Sequence, residues 1–467
     1  MELILRNARV VDPKNNIDGL LDIGIDDEKI TAVGTQLPDG KTNVDCKGKT
    51  IIPGVIDTHV HVTALLGGHE GYYMVAKSGV TGIIDFAGPI EDVLENAARV
   101  GCGLNVGCID AIKPDSVGAN PSKTQIDEYL EKVLENGAIG LKILGGHYPL
   151  TPEAIRQTVL SANARNAIAA IHAGSTEHGS DIHGMREAIE LSKGSSMLMA
   201  HVNSYCRGKH YDCLEEVQQA FQMLRDNPNV LSDSYLSIMN GTSGFCENGV
   251  PKSTVTGNCL KMFGYEVTEE ALGRSILDGI THVSVQTGKE NLPLTKKDAY
   301  DFWRKHNTNV SISFPVNSPA VALACTVERR AAGGEFLIPL SATDGGGIAR
   351  NNMIGRLLAL HKLEYLSLAD IVYKSSLNAA KVFGLANKGH LGVGADADIT
   401  VLNEELTGAV LSYAMGQQIM KDQVVTGSGA HLLTTEAGRA KAAKNNLPCI
   451  IADLPLSAFY KGFLGKH

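Results

Sequence analysis

The chain has 467 residues, with 42 Lys and Arg against 51 Asp and Glu, a formal net charge of −9. Its 43% hydrophobic content, 50 glycines and only 5% aromatics describe a globular protein with a mostly aliphatic core. The scattered, net-acidic charge excludes a basic nucleic-acid footprint, and no stretch reaches the roughly 20 apolar residues of a membrane helix.

Residues 2–50 read as a β-unit. Leu3-Ile4-Leu5, Ala8 to Val11 and Leu21 to Ile25 are short apolar runs divided by Asn, Asp, Pro and Gly. Asp26-Asp27-Glu28 is a predicted hairpin turn before Ile30 to Val33. A second β-rich patch comes much later, at Ala397 to Leu402, Val410 to Gly416 and Lys421 to Val425. The two patches flank everything else, which predicts one small β-sandwich domain formed by both chain ends. The opening Met1-Glu2-Leu3-Ile4 has no continuous apolar core and does not read as a signal peptide. Nine cysteines without a CxxC pair read as reduced thiols, so a cytoplasmic location is expected.

Between the patches, short buried strands alternate with helical stretches. The predicted strands are Thr50 to Val60, Val80 to Phe86, Leu104 to Ile109, Ile139 to Leu144, Ala167 to His172, Met197 to Val202, Val230 to Tyr235 and Phe336 to Thr343. Several starts are about 25–35 residues apart, the size of one βα unit, and repeated units imply a parallel sheet covered by helices. Eight strands predict an α/β fold of the (β/α)8 TIM-barrel type. The interval 236–335 does not fit this rhythm and reads as a lid or an insertion. Later, Ser367 with Asp370 forms a predicted capping box, and Gly384 follows the apolar face of that helix. The tail shows helix from Thr435 to Lys444. The predicted division is 1–50 and 389–427 as the sandwich, 51–388 as the barrel and 428–467 as a tail.

The chemistry concentrates where apolar runs stop. Asp57-Thr58-His59-Val60-His61 follows Ile51 to Ile56, and alternation along a strand sends His59 and His61 to the same side. His172 ends Ile168 to Ile171, His201 ends Met197 to Ala200, and Asp344 ends Phe336 to Thr343 before Gly345-Gly346-Gly347. Barrel enzymes hold their sites at strand C-termini, and neutral imidazole is the commonest nitrogen ligand for zinc-like metals. Asp344 has no basic neighbour in the sequence, so it reads as a ligand or a base rather than an ion pair. Lys142, inside the apolar run Ala138 to Leu144, is either an outward-facing lysine or a buried amine with a lowered pKa.

In order and rhythm these residues resemble the amidohydrolase superfamily, on its hydantoinase, dihydroorotase and N-acyl-D-amino-acid deacylase side. The resemblance extends to Gly54-Val55-Ile56-Asp57, to Asn378-Ala379-Ala380-Lys381 with Phe383-Gly384-Leu385, and to Gly392-Val393-Gly394-Ala395-Asp396-Ala397-Asp398-Ile399. It implies two divalent metal ions, zinc by default. It also implies a Lys142 carboxylated by CO2 that bridges them, with His59, His61 and Asp344 on one ion and His172 and His201 on the other. The implied reaction is hydrolysis of a non-peptide C–N bond through a hydroxide held between the metals, with Asp344 moving the proton. The substrate would be a small molecule, either a cyclic amide or ureide of hydantoin type or an N-acyl amino acid. A homodimer or homotetramer is implied as well.

Departures from the family's patterns narrow this. The Arg that dihydroorotases usually carry after HxH is replaced by Val62-Thr63-Ala64, which disfavours that activity. His172-Ala173-Gly174-Ser175 lacks the Glu of adenosine-deaminase-like members, and Gly82 to Ala87 lacks the Cys ligand of D-aminoacylases. By the same resemblance, Tyr148 or His147 is the candidate oxyanion stabiliser and Asn203 a candidate substrate contact. Arg207 and Arg350 are candidates to pair with a substrate carboxylate, or else are solvated surface charges. The competing readings are a deaminase on the same barrel and a non-catalytic hydantoinase-like scaffold.

Overall fold

The apolar runs in the middle of the chain become parallel strands buried on both faces. A computed structural model describes residues 1–63, 68–331 and 333–463. Ala64 of the run after HxH and the last four residues of the tail lie outside the described residues. Val55–His61 pairs with Val80–Asp85, and that strand pairs with Leu104–Cys108. Asp110–Ile112, just after Leu104–Cys108 in the chain, opens a second parallel set in which Gly140–Leu144, Ile168–His172, Met197–Met199, Val230–Ser234 and Leu340–Ser341 follow, each parallel to the one before. Gly345–Gly346 then pairs with Val60 and His61 of the first strand.

Each strand serves two cores, which is why its sequence is continuously apolar rather than alternating. Ile56, Ile84, Ile109, Ile168, Leu198, Leu231 and Leu340 meet in one cluster closed off by Phe383 and Phe459. Val55, Ile83, Val106, Leu141, Ile171, Met197 and Val230 join a second, larger cluster with residues of the flanking helices. The capping box at Ser367 and Asp370 forms as predicted and opens the helix that leads to Phe383.

The predicted strand Thr50 to Val60 is two strands. Thr50–Pro53 pairs with Leu3–Asp12 and Ile399–Leu402, and only Val55–His61 joins the parallel set. Gly54 marks the break, because a Cβ there would lie 2.4 Å from Thr81 Oγ1 and 2.7 Å from Asp398 Cβ. Both chain ends share one nine-stranded sheet, with Leu5, Val10, Ile23, Ile51, Ile399 and Tyr413 in its core. The predicted hairpin turns at Asp27, between Ile17–Asp26 and Lys29–Gly34.

The Ala395 to Ile399 run is structural. Lys388 Nζ, buried, lies 2.6 Å from Asp398 Oδ2 and 2.9 Å from Asp396 Oδ2. Asn105 Nδ2 donates to the same Asp398 oxygen, which ties the end-built sheet to the parallel one. Lys388→Met would leave the buried Asp398 without its cation, while Asp396 keeps Lys29, so we expect a loss of about 3 kcal/mol in urea unfolding. A loss below about 1 kcal/mol would contradict this role for the lysine.

Most of the interval 236–335 is an insertion with its own core, whereas its last helix, Pro319–Val327, packs in the larger cluster of the parallel strands. Asn240–Ser243, Ser311–Phe314, His282–Thr287 and Glu290–Leu294 form an antiparallel sheet. Three helices, Thr254–Met262, Glu269–Leu277 and Lys296–Lys305, cover it around Leu260, Leu272, Ile276, Trp303 and Phe314. The tail is not an appendage. Ala430–Thr434 pairs in parallel with Leu104–Cys108, Cys449–Ile451 pairs beside it, and the helix between them spans Arg439–Lys444. No helix among the described residues is long and apolar enough to cross a membrane, and all nine cysteines are free.

Candidate metal centre

His59, His61, Lys142, His172, His201 and Asp344 line one cavity at the C-terminal ends of the parallel strands. The alternation argument holds for the first pair, since the His59 and His61 rings are 5.3 Å apart. His201 lies 5.2 Å from His59 and 4.5 Å from His172, ring to ring. Asp344 Oδ1 is 3.0 Å from His61 Nε2 and 3.4 Å from His59 Nε2. Ligand atoms of His59, His201 and Asp344 all fall within 4.8 Å of one another, a span a single ion can bridge. His201 lies between the two ligand sets that the resemblance implies, its ring nearer to His172 than to His59.

Two of these residues sit in strained backbone. His201 has φ 33° and Asp344 φ 50°, a region L residues avoid at a cost of order 1–3 kcal/mol unless their surroundings fix them. Here they do: the His201 N–H donates to Asp233 Oδ1, and the Asp344 N–H to the His59 carbonyl at 2.9 Å. Gly146 leaves room for His172, because a Cβ at 146 would lie 2.4 Å from its Nε2.

The donors suit cations. Lys142 Nζ, His61 Nδ1 and His201 Nδ1 are buried and find no hydrogen-bond partner among the described residues. An unpartnered buried donor or acceptor costs about 1–3 kcal/mol, and three in one cavity are the signature of a group that binds there. Burial holds His59, His172 and His201 well below the usual imidazole range, so they present lone pairs at neutral pH. Burial likewise brings Lys142 down to about 7, with Asp233 and Asp344 pulling the other way. Lys142 is fully buried against the Phe86 ring, 4.3 Å from its centroid, which removes the outward-facing alternative.

Asp344 does have a basic partner. Arg350 Nη2 is 2.5 Å from Asp344 Oδ2, and Arg350 Nε donates to the Asp344 carbonyl at 2.6 Å. Burial alone would raise the Asp344 carboxyl. Arg350, His59, His61 and His201 outweigh it and hold it well below the usual carboxylate range. This corrects one sequence reading of Arg350. It is buried, stacked 4.7 Å over the Tyr235 ring and bonded to Met239 O, so it is not a solvated charge, and it lines the cavity with its guanidinium engaged by Asp344. Five residues of chain separate the pair, and the glycine turn at 345–347 doubles the loop back.

The other candidates divide. His147 lines the cavity, 5.5 Å from the His172 ring, and desolvation lowers it to about 4. Tyr148 packs instead against Ala87, Ala111 and Leu144. Asn203 is buried behind the site, its Oδ1 taking the Tyr235 N–H. Arg207 donates to Asn317 and Asn240, tying its loop to the insertion, whose Asn240 and Gly241 reach the cavity.

Sequence reasoning missed two carboxylates. Asp233 Oδ2 lies 3.2 Å from His59 Nδ1, so one buried residue orients both His59 and His201. Asp57 takes the Thr343 N–H and hydroxyl at 3.1 and 2.6 Å, which fixes the approach to Asp344. Burial raises Asp233 to about 6 and Asp57 to about 7. An acid inside the apolar run Val230 to Tyr235 was the available signal for Asp233.

The profile of the amidohydrolase family matches residues 50–212 and 335–427, more than half the chain. The chain belongs to the amidohydrolase family. This amidohydrolase is an enzyme, a metal-binding hydrolase of C–N bonds other than peptide bonds. The unmatched stretch contains the insertion. The chain is 25% identical over 445 residues to a dihydroorotase of Syntrophus aciditrophicus (strain SB), covering 88% of this chain and 91% of that one. It is 25% identical over 437 residues to a dihydroorotase of Elusimicrobium minutum (strain Pei191), covering 86% and 88%. The amidohydrolase shares its fold with a D-aminoacylase studied for its binuclear metal centre, with TM-score 0.65, 18% identity, and coverage of 92% and 98%. It shares it also with dihydropyrimidinase from Brevibacillus agri NCHU1002, with TM-score 0.60, 17% identity, and coverage of 92% and 97%.

Proposed function

We propose that this amidohydrolase opens a cyclic amide or ureide, with an N-acyl amino acid as the other substrate class, at a two-metal centre held by His59, His61, Lys142, His172, His201 and Asp344. The observation that carries the reading is their convergence in one cavity with three buried nitrogens left without partners. We take the parallel strands as one closed (β/α)8 barrel over 51–388. The sheet from 1–50 and 389–427 is then a β-sandwich, followed by the tail 428–467. Zinc, a carboxylated Lys142, a cytoplasmic location and a homodimer or homotetramer belong to the same proposal.

Two bound divalent cations would polarise the scissile carbonyl and make water acidic enough to attack near neutral pH. The chain's own residues do the rest. Asp344, ionised beside Arg350, accepts the proton of the attacking water and returns it to the leaving nitrogen. His147, neutral and at the cavity wall, is placed to donate to the developing oxyanion. Asp233 holds His59 and His201 in register. A neighbouring pocket between the insertion and the 347–350 loop shares Gly241, Ile348 and Arg350 with the cavity. Its other polar groups include His282, Ser284, Ser311 and Ser313, so it suits an uncharged polar substituent.

The relatives named dihydroorotase make dihydroorotate the sharpest competitor as substrate. Against it stand Val62-Thr63 in place of the expected Arg, and an Arg350 already committed to Asp344. The test is elemental analysis of protein purified without chelator, followed by a panel of hydantoins, dihydropyrimidines, dihydroorotate and N-acyl amino acids. About two metals per chain with turnover of a cyclic ureide is the expected result. Ammonia release would move the assignment to a deaminase. No metal, even with zinc or manganese and bicarbonate added, would leave a scaffold.

A further inference from the structure

We propose that Asp181, His183 and His210 form a second, peripheral site for a divalent ion of zinc type, outside the cavity at the strand ends. One ligand atom from each lies within 4.8 Å of the other two. His210 Nε2 is 3.0 Å from Asp181 Oδ2, and the two imidazoles stack with centroids 3.9 Å apart. Two imidazoles, one carboxylate oxygen and an open fourth position make a donor set for zinc, copper or nickel, which prefer nitrogen, rather than for calcium or magnesium.

Both halves of the site are held before any ion arrives. Asp181 spends Oδ1 on the His183 and Gly184 N–H groups, capping the helix Ile182–Ser192, and this turns Oδ2 toward His210. On the other side the buried Glu216 carboxylate accepts the N–H groups of Gly208 and His210 at 2.8 and 2.9 Å, which fixes the loop that carries His210. A pre-formed site binds with less ordering cost than one assembled on binding. The ion would clamp together the loops that follow His172 and His201 in the chain. Ser180, next to Asp181, already touches His172 Nε2 at 2.8 Å.

One group competes. Lys209 Nζ lies 2.5 Å from the same Asp181 Oδ2, and its side chain is 56% exposed, free to swing into water when a divalent charge replaces it. That competition provides the test. Full-length wild type, His183→Ala/His210→Ala and Lys209→Met are each dialysed against buffered free Zn2+, and zinc per chain is counted across a concentration series. We expect the double variant to hold one zinc fewer than wild type at saturation. Lys209→Met should fill the additional site about tenfold more tightly, because a like charge is gone from beside a ligand oxygen. Equal zinc counts in wild type and double variant overturn the site, and so does unchanged affinity in Lys209→Met. The central six residues are intact in all three proteins, so failure of the central reading would remove zinc from all of them alike.

Discussion

Asp344→Asn is expected to fold, retain metal and lose turnover by about 10³-fold or more, roughly 4 kcal/mol of barrier. The amide matches the carboxylate in shape but keeps one oxygen: turned to Arg350 it leaves its NH2 beside the His61 ring, and Arg350 Nε keeps its bond to the main-chain carbonyl of residue 344. The amide cannot take a proton from the attacking water. Arg350 keeps the native carboxylate ionised across the working range, at a cost in basicity. With the carboxyl held well below its ordinary value, it stays ionised until the pH falls far into the acid, where protonation removes activity. The measurement is kcat beside metal content: a near-normal kcat with full metal would end the proton-transfer role. Loss of metal as well would mean that ligation is the larger contribution of Asp344.

The second large effect belongs to Lys142. A primary amine of ordinary pKa is neutral in only about 1 molecule in 3,000 at pH 7, whereas at about 7 roughly half is neutral. Neutral amine is the form that attacks CO2, so the lowered pKa favours the carboxylation proposed for this residue. We expect the rate at which metal-free protein regains activity, at fixed dissolved CO2 and metal, to rise with pH through about 7 and then level off. The sign follows from the direction of the shift: below that point the ammonium predominates and cannot react. Lys142→Ala should hold at most one metal and lose about 10³-fold in kcat, with partial recovery in added propionate, whose carboxylate fits the vacated space. Lys142→Met fills that space and should not recover. Two metals and normal turnover in Lys142→Ala would exclude a bridging role for the lysine.

The histidines were legible because their signal is local. A polar residue where a short apolar run ends marks the C-terminal edge of a buried strand, and His59, His61, His172, His201 and Asp344 all carry that mark. Lys142 was ambiguous for the same reason: a lysine within such a run points in or out according to packing on both sides, which one strand's sequence does not record. Arg350 was misread because charge was judged along the chain. The glycine turn at 345–347 brings its guanidinium onto Asp344, and only the folded loop shows this. Dihydroorotase was set aside on the Arg missing after HxH, yet the curated relatives carry that name; the substrate panel decides between residue and resemblance.

By itself the sequence determined the alternation of parallel strands with helices, the hairpin at Asp27, the capping box at Ser367 and the strand ends where polar donors gather. All of these rest on periodicity and turn chemistry within a few residues. Tertiary structure decided what depends on distant partners. It split Thr50 to Val60 at Gly54, because Asp398, more than three hundred residues later, leaves no room for a side chain there. It made the insertion from strands whose pairing, Asn240–Ser243 with Ser311–Phe314, spans about 70 residues. It drew the tail into the parallel sheet beside Leu104–Cys108. It also placed Asp233 behind His59 and His201. Hydrogen bonds and burial between residues far apart in the chain leave no local period in the sequence, and these contacts turn a set of strand-end histidines into an organised site.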